Sequence, residues 1–90
     1  MLKPVRTKKF DKSIELCRKR GFDMELIKEV IRLLVEEKPL STFHHPHKLC
    51  GKYAKHKECH IQPDWLLIYR YDSLNREIIF EDTGTHSDLF

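Results

Sequence analysis

Four polar residues in this 90-residue chain have the types that proton-transfer chemistry needs: His47, His60, Asp64 and His86. Histidine exchanges protons near neutral pH, so two of them can act as base and acid in a single reaction. Cleaving RNA without a metal makes that demand. A base takes the proton from a ribose 2′-OH, an acid protonates the departing 5′-oxygen, and positive charge stabilises the phosphorane between them. Histidinium or lysine can supply the charge, and Trp65 or Phe90 can offer a stacking surface to a splayed base. Taken singly, each histidine reads as a bystander. The chemistry depends on whether three separate segments bring the four groups together.

The segment Thr83-Gly84-Thr85-His86-Ser87-Asp88-Leu89-Phe90 is the clearest positioning device. Most chain ends are loose and polar. This one carries a glycine turn, a histidine and an apolar Leu89-Phe90 pair, which is expected to pin the tail to a core and fix His86 in space. The plainer reading is that the pair plugs a small core and His86 caps a turn.

His60 is positioned by strand parity. Residues 57–62 alternate, with Cys59 and Ile61 on one face and Glu58, His60 and Gln62 on the other. If Cys59 and Ile61 face the core, His60 faces the open side of a sheet. Pro63-Asp64 supplies a turn. Trp65 to Tyr71 is nearly continuous and apolar, as a central strand should be. Asp72-Ser73-Leu74-Asn75 makes the next turn, and Glu77–Glu81 a third strand with Ile78 and Phe80 facing one way.

Earlier in the chain, residues 2–6 alternate as a short strand. Thr7 is an N-cap for a helix with Phe10, Ile14 and Cys17 on one face, and Gly21 fits its C′ position. Asp23 caps a second helix, whose broad stripe of Leu26, Ile27, Val30, Ile31, Leu33 and Leu34 implies burial; Pro39 is expected to end it. Together these elements predict one α+β domain over 1–90. An N-terminal strand and a two-helix hairpin pack on one face of a small, mainly antiparallel twisted sheet, leaving the other face open.

Composition narrows the setting. No apolar run approaches the roughly 20 residues that cross a bilayer, so no membrane partner is expected. The N-terminus lacks the apolar stretch of a signal peptide. Cys17, Cys50 and Cys59 are odd in number and lack paired spacing, which fits a reducing cytoplasm. Charge is uneven: residues 1–57 hold 15 Lys+Arg against 7 Asp+Glu, whereas residues 58–90 hold 2 against 7. From Lys38 to Lys57 there are five lysines, four histidines and no carboxylate. Such a loop can meet a polyanion, or can be merely a solvated lysine-rich surface. A structural zinc site competes for His44, His45, His47, Cys50, His56, Cys59 and His60. Against it, there is no CxxC knuckle, and parity turns Cys59 and His60 to opposite faces. No cofactor is therefore expected.

The run Cys59-His60-Ile61-Gln62-Pro63-Asp64-Trp65-Leu66-Leu67-Ile68-Tyr69, with Thr83–Phe90 and His47-Lys48-Leu49-Cys50-Gly51, closely resembles the YafQ branch of the RelE/ParE toxin superfamily. The resemblance is specific over residues 47–90 and covers nearly the whole chain in element order. It implies a RelE-like fold and a toxin of a type II toxin–antitoxin pair. Such a toxin is a ribosome-dependent mRNA endoribonuclease that cuts translated message in the A site and is silenced by a cognate antitoxin. The implied partners are the antitoxin, the ribosome and mRNA, with operator DNA reached only through the antitoxin complex. Position by position, the resemblance makes His47, His60, Asp64 and His86 the catalytic set. His60, assisted by Asp64, is the implied base and His86 the acid, or the reverse, and His47 helps to hold the phosphate. Lys48, Lys52, Lys55, Lys57, Trp65, Arg70 and Phe90 complete the implied RNA surface.

Two positions depart from the family pattern. Asp82 stands where an arginine is common, and Lys57 replaces another arginine. A carboxylate beside a phosphorane would repel it, so another cation (Lys52, Lys55 or Arg70) substitutes, Asp82 points away, or activity is attenuated. The last option leads to a second function: a catalytically weak binding module that acts with its antitoxin in operon repression. A gyrase inhibitor of the ParE type would have no need for the histidine set.

Overall fold

Side-chain caps bound the first two helices where the sequence places them. In the computed structural model, which describes residues 1–41, 44, 47–48 (backbone only) and 55–90, the order is β1 (Lys3–Arg6), α1 (Lys8–Lys19), α2 (Met24–Val35), β2 (His47–Lys48), β3 (Lys57–Gln62), β4 (Trp65–Asp72), β5 (Glu77–Gly84) and α3 (His86–Leu89). Thr7 Oγ1 accepts the Phe10 N–H at 3.0 Å, and Asp23 Oδ1 accepts the Glu25 N–H at 3.0 Å. Gly21, at φ 85°, lets Phe22 N–H return to the Cys17 carbonyl and closes α1. α2 stops before Pro39 is reached. Glu37 adopts φ 58° there, and Lys38 N–H bonds back to the Leu33 carbonyl.

The strands form one sheet in the order β1-β5-β4-β3-β2, with β1 parallel to β5 and every other pair antiparallel. β4 is central, as its apolar run requires, and five of its first residues are buried. Alternation sends Trp65, Leu67 and Tyr69 of β4 and Cys59 and Ile61 of β3 to the helix side. There they meet Phe10, Cys17, Ile27, Val30 and Leu34 in the main core. Leu66 and Ile68, on the opposite face of β4, form a small second cluster with Leu89. Among the described residues no helix is long and apolar enough to cross a membrane.

β5 runs three residues beyond the expected Glu81. Its extension begins at an irregularity: Tyr69 pairs with Phe80 but Ile68 with Asp82, so Glu81 is an extra residue. Alternation with Ile78 and Phe80 already sends Asp82 to the helix side, and the bulge brings Thr83 there as well. Thr83 Oγ1 then accepts the Trp65 indole N–H at 2.9 Å and donates to the Leu66 carbonyl at 2.6 Å. Those bonds hold the strand through Gly84.

Candidate active site

β3 and β4 are joined across the two residues Pro63 and Asp64, since Gln62 pairs with Trp65. Asp64 therefore stands at a hairpin tip. Its Oδ1 accepts the His86 backbone N–H at 2.9 Å and meets His86 Nδ1 at 2.5 Å. Those two bonds, the backbone one first, hold the Asp64 carboxyl below its ordinary range. An ionised carboxylate has no proton to give, so Nδ1 carries the hydrogen of this contact and Nε2 is left for other partners. The His86 ring is half exposed.

His60 lies one face-row away on β3, with its ring centroid 5.9 Å from that of His86. Parity places it on the open face, and only a fifth of its side chain is exposed. Glu58, on the same face, has a buried carboxylate with Oε1 3.7 Å from His60 Nε2. Sequence reasoning passed over Glu58, although its parity with His60 was visible. The backbone register pairs His47 with Glu58, which sets β2 against this row.

The tail that carries His86 is seated by several independent contacts. Thr85 Oγ1 accepts the Asp88 N–H, and Asp88 Oδ2 accepts the Thr85 N–H at 2.9 Å, a reciprocal capping box. The Arg20 guanidinium grips both Asp88 oxygens at 2.6 and 3.0 Å and, with the Thr85 N–H, holds that carboxyl well below the usual carboxylate range. Gly84 makes the approach possible, because a Cβ there would lie 2.9 Å from Asp88 Cβ and Oδ2. Leu89 is buried against Leu66 and Ile68.

Several expectations from the sequence are corrected. Asp64 pairs with His86, not with His60, because the hairpin tip is opposite the first residue of α3. Trp65 cannot stack on a base: its indole is 1% exposed, bonded to Thr83 and edge-on to Phe22 at 5.0 Å. Lys57 shares the parity of Cys59, and its Nζ lies 5.1 Å from the Tyr71 ring centroid, away from the His60 face. Of the Leu89–Phe90 pair, Leu89 is the member buried against the sheet, and Phe90 is 67% exposed. Arg70 shares the open face of Leu66 and Ile68, and Lys55 is exposed ahead of β3. Lys52 and the side chains of His47 and Lys48 lie outside the described residues.

Asp82 is turned into the α1 side. Its Oδ1 accepts from Ser13 Oγ at 2.5 Å and from its neighbour's amide, Thr83 N–H, at 2.8 Å, and its Oδ2 is 3.4 Å from Lys9 Nζ. The carboxylate thus faces away from the histidine row. A zinc site using Cys59 and His60 meets the same geometry: the Cys59 thiol is buried in the core and pushed up to about 12 by burial, while His60 faces the other way. Of the remaining zinc candidates, His44 Nδ1 is 3.1 Å from Ser41 Oγ, and His45 and Cys50 lie outside the described residues.

Residues 2–90 match the family model described as the bacterial toxin of type II toxin–antitoxin systems, YafQ. The chain is 39% identical over 83 residues to the mRNA interferase toxin YafQ of Escherichia coli K12, covering 90% of this chain and 87% of that one. Its fold superposes with a TM-score of 0.94 on a metal-bound toxin from Helicobacter pylori, 37% identical, over all of both chains. It superposes at 0.89 on a chain of the E. coli DinJ–YafQ toxin–antitoxin complex, 32% identical, covering 99% of this chain and 97% of that one.

Proposed function

The chain belongs to the YafQ family of type II toxin–antitoxin toxins, and from that premise we propose that it is an mRNA interferase. It cuts translated message in the ribosomal A site, is silenced by a cognate antitoxin, and reaches operator DNA only as part of the antitoxin complex. The observation that carries the reaction is the Asp64–His86 pair standing beside His60. His60 takes the proton from the 2′-OH, with the Glu58 carboxylate 3.7 Å from its Nε2. As the imidazolium, His86 keeps its Nδ1–H on Asp64 and gives its Nε2 proton to the leaving 5′-oxygen. The attack makes a new bond from the 2′-oxygen to phosphorus and breaks the bond to the 5′-oxygen. Products are a 2′,3′-cyclic phosphate and a 5′-hydroxyl.

His47, from β2, helps to hold the scissile phosphate, with Lys48, Lys52, Lys55 and Arg70 providing charge and Phe90 a stacking surface. The weak-binding-module reading rested on Asp82, and the Ser13 and Lys9 contacts of that carboxylate remove its motive. The test adds purified protein to ribosomes translating a defined message and maps the new RNA ends. Discrete in-frame cuts are expected from the native protein. His86→Ala should slow them by about 10²–10⁴-fold, the usual contribution of a positioned proton-transfer group. Equal cutting by both proteins would refute the assignment.

A further inference from the structure

The turn between α1 and α2 touches both flanks of the Asp64–His86 pair although it lies far from it in sequence. On one flank, Arg20 binds Asp88, 68 residues away, through a two-pronged contact at 2.6 and 3.0 Å. Asp88 follows His86 by two residues and closes the capping box that starts α3. On the other flank, Phe22 packs edge-on against Trp65, the residue that follows Asp64. Arg20 itself lies 6.0 Å from the Phe22 ring centroid, so the two grips form one unit. A four-residue helix has no stability of its own and takes its orientation from such contacts.

We propose that Arg20 is a positioning residue for cleavage: it holds the first turn of α3 so that the His86 ring stays on Asp64. This rests on the nuclease reading above for its effect on rate, but not for its effect on the ring. Arg20 acts through Asp88, whose Oδ2 also accepts the Thr85 N–H. Its planar fork matters because both carboxylate oxygens are engaged, which lysine cannot reproduce.

The experiment uses the free, ¹⁵N-labelled full chain and reads the ring-nitrogen signals of His86, alongside the cleavage rate at saturating ribosomes. In Arg20→Gln, the Nδ1 signal should move from that of a fixed Nδ1–H toward the average of the two tautomers. The cleavage rate should fall about tenfold or more, as expected for a small misplacement of a reacting group, with ribosome affinity unchanged. Asp88→Asn should act in the same direction, and the double variant should be no worse than Asp88→Asn alone. Should Arg20→Gln not fold, Arg20→Lys, which retains the charge but not the fork, serves with the same readout and an intermediate effect. Unmoved His86 signals overturn the proposal at any rate, since a slower cut would then mean that Arg20 acts on RNA directly. If the native protein cuts no message, the nuclease reading fails by itself, and the ring signals still decide whether Arg20 positions His86.

Discussion

Leu89→Ala tests whether a three-residue apolar cluster seats the acid group. Leu89 is 7% exposed and packs on Leu66 and Ile68, both fully buried on the open-face side of β4. Deleting a buried leucine side chain costs about 2–5 kcal/mol, and a site near the surface that can relax belongs at the low end. About 2.8 kcal/mol is a hundredfold in an equilibrium constant. The loss should be local, because α3 is only four residues long and contributes nothing to the main core on the helix side. The Phe90 amide, bonded to the His86 carbonyl at 2.9 Å, reports on this docking. Its hydrogen exchange should accelerate about a hundredfold, while amides of β4 keep their protection. The cleavage rate should fall by as much as the same factor. Faster exchange with an unchanged rate would show that His86 works without a docked tail. Unchanged exchange would show that Leu89 is not what seats it.

Other expected outcomes concern the carboxylates. Asp64→Asn retains an acceptor for the His86 backbone N–H but removes the charge that selects the Nδ1–H tautomer. Its cleavage rate should drop roughly tenfold or more, less than for His86→Ala, because charge-assisted hydrogen bonds are about twice as strong as neutral ones; a native rate would refute the tautomer argument. Asp82→Arg should not raise activity. It places a cation beside Lys9 in a buried position and removes the acceptor of Ser13, costing about 3 kcal/mol. A thermal midpoint lower by about 10 °C or more is expected, whereas faster cutting with native stability would return Asp82 to the phosphate site. Asp64 and Asp88 both have depressed carboxyl pKa values in the folded chain. Their stabilisation is therefore present above the unfolded value of about 4 and is lost as pH falls toward the folded values. Tail docking, followed by Phe90 amide exchange corrected for intrinsic rate, should hold from neutral pH to about 4 and weaken below it. Weakening already at pH 6 would implicate the histidines instead.

Much of the fold was legible because its signals are local. Thr7, Gly21 and Asp23 bound helices through contacts within a few residues, and the alternation Cys59-His60-Ile61 assigns faces without reference to any partner. The types of the site residues were legible for the same reason, since a histidine carries its proton chemistry wherever it lies. Which carboxylate serves which histidine was not legible. Asp64 is four residues from His60 and 22 from His86, yet the hairpin tip delivers it to His86. Trp65 shows the same limit: its side chain suits a stacking platform, yet it is buried on the helix side with Leu67 and Tyr69, and the bulge at Glu81 brings Thr83 to its indole N–H. Asp82, by contrast, reaches Ser13 and Lys9 on the parity it shares with Ile78 and Phe80. Sequence alone thus determined the inventory of helices, strands and proton-transfer groups, because propensity, capping and parity act over a few residues. Tertiary structure decided the pairings, because one extra residue in a strand or one two-residue turn reverses the face on which a side chain emerges.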